Sequence, residues 1–131
     1  MTKSMITGVH AMFYSSQAEA LRAFIRDKLG FPCTDVGGGW LIFDLPQAEL
    51  GCHPADPNEG SPPGTHQISF TCDDIQGTVS ELKSRGVQFT EEISDTGWGS
   101  ATRFEMPGGV AVQLYQPRYT KASSAKTPRN A

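Results

Sequence analysis

Two similar runs, GVHAMFYSS at 8–16 and THQISFTCDD at 65–74, each carry a histidine near the start and lead into a helix signal that stops at a glycine. His10 precedes Gly30 by 20 residues and His66 precedes Gly86 by 20, so both landmarks move by the same 56 positions. Such a repeat constrains the fold more than any other feature of the chain. It reads as an internal duplication of a unit just over 50 residues long.

Within each copy the periodicities name the elements. Ser16 and Glu19 have the spacing of a capping box; Leu21, Phe24, Ile25 and Leu29 follow on one helical stripe, and Gly30 stands where a left-handed residue ends the helix. In the second copy Asp73 or Asp74 is the N-cap, Ile75, Val79 and Leu82 form the stripe, and Gly86 is the stop. Short strand-like runs follow each helix: FPCTDV, WLIFDL and QAELGCH in the first copy, then QFTEEIS, residues 98–106 and VAVQLYQ in the second. The three glycines at 37–39 lie between two such runs and read as a turn rather than a phosphate loop. Each copy is therefore β-α-β-β-β. The expected fold class is α+β: two tandem βαβββ modules forming a curled mixed sheet around a cavity, helices outside. Module one spans 5–54, a Pro- and Gly-rich linker 55–64, and module two 65–117, together a single domain; 118–131 reads as a flexible basic tail.

Composition narrows the partners. The 131 residues carry a net charge of −3, but four of the eleven bases follow Pro117 with no acid among them, leaving seven bases against fourteen acids in the body, or −7. A body that acidic repels phosphate backbones, so nucleic acid is not expected as a partner. Nor is a membrane, because no run of about 18 apolar residues exists and no apolar stretch follows Lys3 at the start. Cys33, Cys52 and Cys72 have no CxxC spacing, which suggests neither disulfides nor a zinc knuckle and fits a reducing, cytoplasmic setting.

Two βαβββ units with paired starts, together with the strand endings AELGCHP and VQLYQP, resemble the vicinal-oxygen-chelate superfamily over residues 5–117. That superfamily includes glyoxalase I, extradiol dioxygenases and the fosfomycin- and bleomycin-resistance proteins. In its metal-bearing members the ligands come from the first and last strands of each unit, which implies His10, Glu49, His66 and Gln113 here. His53 is the alternative to Glu49, because the two are four apart on one strand and face the same way. Such a set suits a divalent ion, Zn, Ni, Fe or Mn. The resemblance then implies lyase or isomerase chemistry on a small oxygenated substrate, with Glu49 as the proton-moving base.

Two alternatives stand beside that expectation. A metal-free binder of the bleomycin-resistance kind would use the same cavity, lined by Trp40, Phe43, Trp98 and Phe104, although those aromatics also suit a plain core. An extradiol dioxygenase would need a carboxylate on the last strand, where this chain has Gln113. The resemblance also implies a homodimer, with site residues drawn from one chain or from both.

Overall fold

The computed structural model describes residues 10–52 and 54–119. Module two forms a helix and four strands, although of the strand expected over 88–94 only a Phe89–Phe104 bridge and Ser94 are paired. Strand β3 (Ser69–Thr71) leads into helix α2 (Ile75–Ser84), followed by β4 (Ser94–Asp95), β5 (Gly99–Met106) and β6 (Val110–Pro117). These strands form one sheet in the order β3-β6-β5-β4, with β3 parallel to β6 and the other pairs antiparallel. Module one supplies α1 (Ala18–Phe24), a π-helical turn (Ile25–Leu29), and a hairpin of β1 (Cys33–Asp35) with β2 (Leu41–Phe43). The architecture is mixed α+β with the sheet open rather than closed into a barrel. Among the described residues no helix is long and apolar enough to cross a membrane.

Alternation along the long strands sorts the two faces of the sheet. Val110, Val112 and Leu114 of β6 lie opposite Met106, Phe104 and Thr102 of β5, and all six are buried on the face the helices cover. Leu21 and Ile25 of the first helix and Ile75, Val79 and Leu82 of α2 fill that core. An aromatic cluster joins the modules: Phe70 meets Phe13 edge-on at 6.5 Å and Phe31 at 5.5 Å, and stacks on Phe104 at 6.3 Å. Phe104 has no exposed surface and belongs to this core, not to a ligand cavity as its aromatic character suggested. Phe43, also expected at a cavity, packs against the same core, and Trp40 lies outside with the Arg22 guanidinium 4.6 Å from its ring centroid.

The helix starts differ from their sequence expectations in one case. Asp74 caps α2, its Oδ1 accepting from the Gly77 amide at 3.1 Å. The expected Ser16–Glu19 box does not form: Gln17 is the N-cap, without a side-chain bond. Instead the Ser16 amide donates to the Gly108 carbonyl at 3.1 Å, while Ser15 Oγ donates to the Pro107 carbonyl at 2.8 Å and accepts from the Gln17 amide at 3.0 Å. Docking onto the β5–β6 turn takes over the groups a capping box would use. At the other end of the helices the contact is reciprocal. Lys28 Nζ donates to the Arg85 carbonyl and Arg85 Nη1 to the Lys28 carbonyl, each at 2.8 Å, as expected when two copies of one unit meet about an internal twofold.

That symmetry revises the repeat. Residues 10–15 alternate exposed and half-buried, with Ala11, Phe13 and Ser15 inward; Ile68, Phe70 and Cys72 do the same in module two. Phe13 matches Phe70, Gln17 matches Asp74 as N-cap, and buried Ile25 matches buried Leu82, all by 57 positions rather than 56. The extra residue of module one lies in the π-helical turn, where the Gly30 amide reaches back five residues to the Ile25 carbonyl at 3.0 Å. Beyond it Gly30 and Gly86 stand 56 apart, which made the histidines look equivalent.

Two strands expected in module one are not paired. Residues 10–15 and 44–52 carry no sheet pairing among the described residues, and His53 lies outside those residues. The GGG stretch is a turn as expected, with Asp35 Oδ1 accepting from the Gly37 and Gly39 amides at 2.8 and 3.3 Å.

Candidate functional site

The uncovered face of the four-stranded sheet carries the opposite set of side chains. Ser69 of β3 pairs with Gln113 of β6, Thr71 with Tyr115, and Tyr115 in turn with Ala101 of β5. At the end of this face, the loop between β4 and β5 and the residues after β6 close around a cleft of about 520 Å³, lined by Ser69, Thr96, Trp98, Gln113, Tyr115 and Tyr119.

Each wall is held from behind. Asp95 Oδ1 accepts from the Gly97 amide at 2.7 Å, and the Thr96 amide and Oγ1 both donate to the Gly99 carbonyl, at 2.8 and 2.9 Å, which fixes the turn bearing Trp98. The Trp98 carbonyl accepts from Tyr115 Oη at 3.1 Å and from the Arg118 amide at 2.8 Å. Arg118 pairs with Asp95 at 2.9 Å and donates to the Gly97 carbonyl at 2.9 Å, so Arg118 and Tyr119, assigned by sequence to a flexible tail, are tied to the cleft. Asp95 holds the Arg118 guanidinium above its ordinary pKa through that bond, and is itself held below the carboxylate range.

Glu49 reaches this cleft through one bond. Tyr119 Oη donates to Glu49 Oε2 at 2.6 Å, and the carboxylate beside it pushes the Tyr119 phenol well above its ordinary value, with burial contributing second. Gln113 is bound in the same manner: Ser69 Oγ donates to its Oε1 at 3.0 Å. Glu49 Oε2 and Gln113 Oε1 therefore each accept one protein hydrogen bond. The Gln113 Nε2 carries two N–H groups that can donate to a ligand oxygen.

The residues expected to bind metal are brought together only in part. Gln113 lies in the cleft and Glu49 touches its rim, whereas His10 is exposed beside Met12 and Tyr14, and His66 is exposed ahead of β3. Among the described residues no group of three or more His, Cys, Asp or Glu side chains is placed to hold a metal ion. The donors that line the cleft are amide, hydroxyl and phenol groups, with the single carboxylate of Glu49 at the rim, a set short of the charged and imidazole ligands suited to the divalent ion the fold family implies. Ser69, Thr96, Tyr115 and Tyr119 were not singled out by sequence reasoning. Alternation from Gln113 does point to Tyr115, but nothing local reveals Tyr119.

A duplicated strand–helix unit around one core, with an open aromatic cleft on the far side of its sheet, defines a small α+β domain with a cleft on one sheet face. The chain belongs to the Glyoxalase/Bleomycin resistance protein/Dioxygenase superfamily, whose family model matches residues 8–114. It is 30% identical over 114 residues to YetH of Bacillus subtilis, an uncharacterized protein, across 82% of this chain and 94% of that one. Among solved structures it resembles TnmS3, an antibiotic binding protein from Streptomyces sp. CB03234, with 25% identity, a TM-score of 0.60, and 88% and 99% of the two chains covered. A lactoylglutathione lyase from Agrobacterium tumefaciens shares the fold at 15% identity and a TM-score of 0.60, over 86% and 96% of the chains.

Proposed function

We propose that the cleft binds a planar aromatic small molecule without the help of a metal. The observation that carries this reading is the lining of the cleft, Ser69, Thr96, Trp98, Gln113, Tyr115 and Tyr119, which is aromatic and uncharged. What the cleft offers is aromatic surface with a few polar anchors, the usual composition of a small-molecule site. Trp98 is 63% exposed and Tyr119 46%, a cost in water that a stacked ligand would relieve. Covering roughly 100 Å² of such surface contributes about 2.5 kcal/mol. The Gln113 N–H donors then select a ligand with a carbonyl oxygen at its edge. The likeness to TnmS3, described as antibiotic binding, supports the same reading.

The competing reading is a metal-dependent lyase or isomerase with Glu49 as base. It has one observation in its favour, the position of Glu49 at the cleft rim. An extradiol dioxygenase is the least supported, because Gln113 brings no charge to the last strand.

Fluorescence titration separates the first two. A panel of planar aromatic ketones and quinones is expected to quench the Trp98 emission saturably, and Trp98→Ala is expected to abolish the response. The reading fails if no compound binds while Zn or Ni confers turnover of a thiol hemithioacetal that Glu49→Gln removes.

A further inference from the structure

The revised repeat changes which residue module two contributes to the site. Inward-facing Phe13 and Phe70 are counterparts, meeting edge-on across the internal twofold, and they fix the offset of the first strands at 57. Three residues before Phe13 is His10; three before Phe70 is Gln67, not His66. Alternation agrees. Ser69 faces the cleft and bonds Gln113, while Phe70 enters the core; β3 begins at Ser69 and His66 and Gln67 are both exposed, but the same period continued backward puts Gln67 on the side of Ser69 and His66 on that of Ile68 and Phe70.

We infer that Gln67, rather than His66, is the second module's site residue, and that the floor of the cleft is a row of uncharged groups, Gln67, Ser69 and Gln113. Two primary amides and a hydroxyl recognise a neutral ligand edge, an amide or a ketone oxygen, by donating N–H to it. The same row withholds the charge a divalent cation requires. Of the four positions the family resemblance implies as ligands, with Gln67 in place of His66, only His10 and Glu49 hold an imidazole or a carboxylate. The one-residue insertion in the π-helical turn and the histidine one place before the site position together make His10 and His66 look equivalent in the sequence. The ligand class rests on the binding reading above; the assignment of Gln67 over His66 does not.

Calorimetric titration of the full chain with Ni²⁺ tests the assignment. Gln67→His is expected to create a saturable site at least about tenfold tighter than any in the wild type. Adding His10→Ala to that variant should remove it, and His66→Ala in the wild-type background should change nothing. Circular dichroism shows whether each variant folds, and His66→Gln serves as a second variant at the neighbouring position. The inference is overturned if Gln67→His gains no affinity, or if the wild type binds Ni²⁺ stoichiometrically and His66→Ala abolishes it. Gain of the site in Gln67→His with no aromatic ligand bound by the wild type would sink the binding reading alone.

Discussion

Gly108 shows how much one residue can carry where two modules meet. Its φ is +86°, and a Cβ there would collide with Ser15 Oγ and come within 2.6 Å of the Gln17 amide nitrogen and 2.9 Å of that of Ser16. Neighbouring Gly109 has a similar φ, +82°, but open space around it. The pair separates backbone strain from collision. Gly109→Ala is expected to cost about 1 kcal/mol, and Gly108→Ala about 3 kcal/mol, because its neighbours are backbone already bonded across the module junction. Urea unfolding of the two variants measures the difference; equal losses would show that the junction yields freely. Tyr119 offers a second test at this scale. Its pKa is raised in the folded chain, so the folded state holds the proton more tightly than the unfolded one. The linked stability is fully present below the unfolded value of about 10 and is lost as pH rises through the folded value. In an ultraviolet titration Tyr119→Phe is expected to remove a late-ionising step.

At the scale of elements, the helices were legible because apolar residues repeat at helical spacing, and the stop glycines because left-handed ends need them. Asp74 was legible as a cap for the same local reason. The π-helical turn was not: no composition marks the site of one inserted residue, and its consequence appears only when Phe13 and Phe70 are seen to be counterparts. The Ser16–Glu19 pattern misled because the chain docks on the β5–β6 turn, a contact distant in sequence that no local pattern encodes. A contrast of two serines checks this account. Ser16→Ala should leave stability within about 0.5 kcal/mol of wild type, whereas Ser15→Ala should cost about 1 kcal/mol by breaking the bond to Pro107. A larger loss at Ser16 would mean that the capping box forms after all. The site was legible only where it lay on regular strands, at Gln113. Trp98 was recognised as an aromatic, but the turn and post-strand segments that position Trp98 and Tyr119 follow from tertiary hydrogen bonds.

At the scale of the molecule, the two modules are unequal in a way the repeat makes visible. In module two the first and last strands pair in parallel, and Leu114 is 3% exposed. The matching Glu-Leu of module one puts Leu50 in the position of Leu114, yet Leu50 is 91% exposed, and residues 10–15 and 44–52 belong to neither sheet among the described residues. Met12 and Tyr14 are exposed on the same segment family, at 52% and 82%. Open strand edges beside apolar side chains are what β-pairing with another chain covers. A second copy is the economical occupant, because a twofold repeats the same unsatisfied surface on both sides of the interface. Sedimentation at micromolar concentration is therefore expected to give a homodimer, with an interface above about 1,000 Å². Leu50→Asp would place a carboxylate in that contact, and the monomer–dimer midpoint should rise at least about tenfold while Leu114 stays packed and the fold is retained. A wild type that remains monomeric at about 100 μM, an affinity weaker than about −5.5 kcal/mol, would leave the exposed Leu50, Met12 and Tyr14 a property of the monomer.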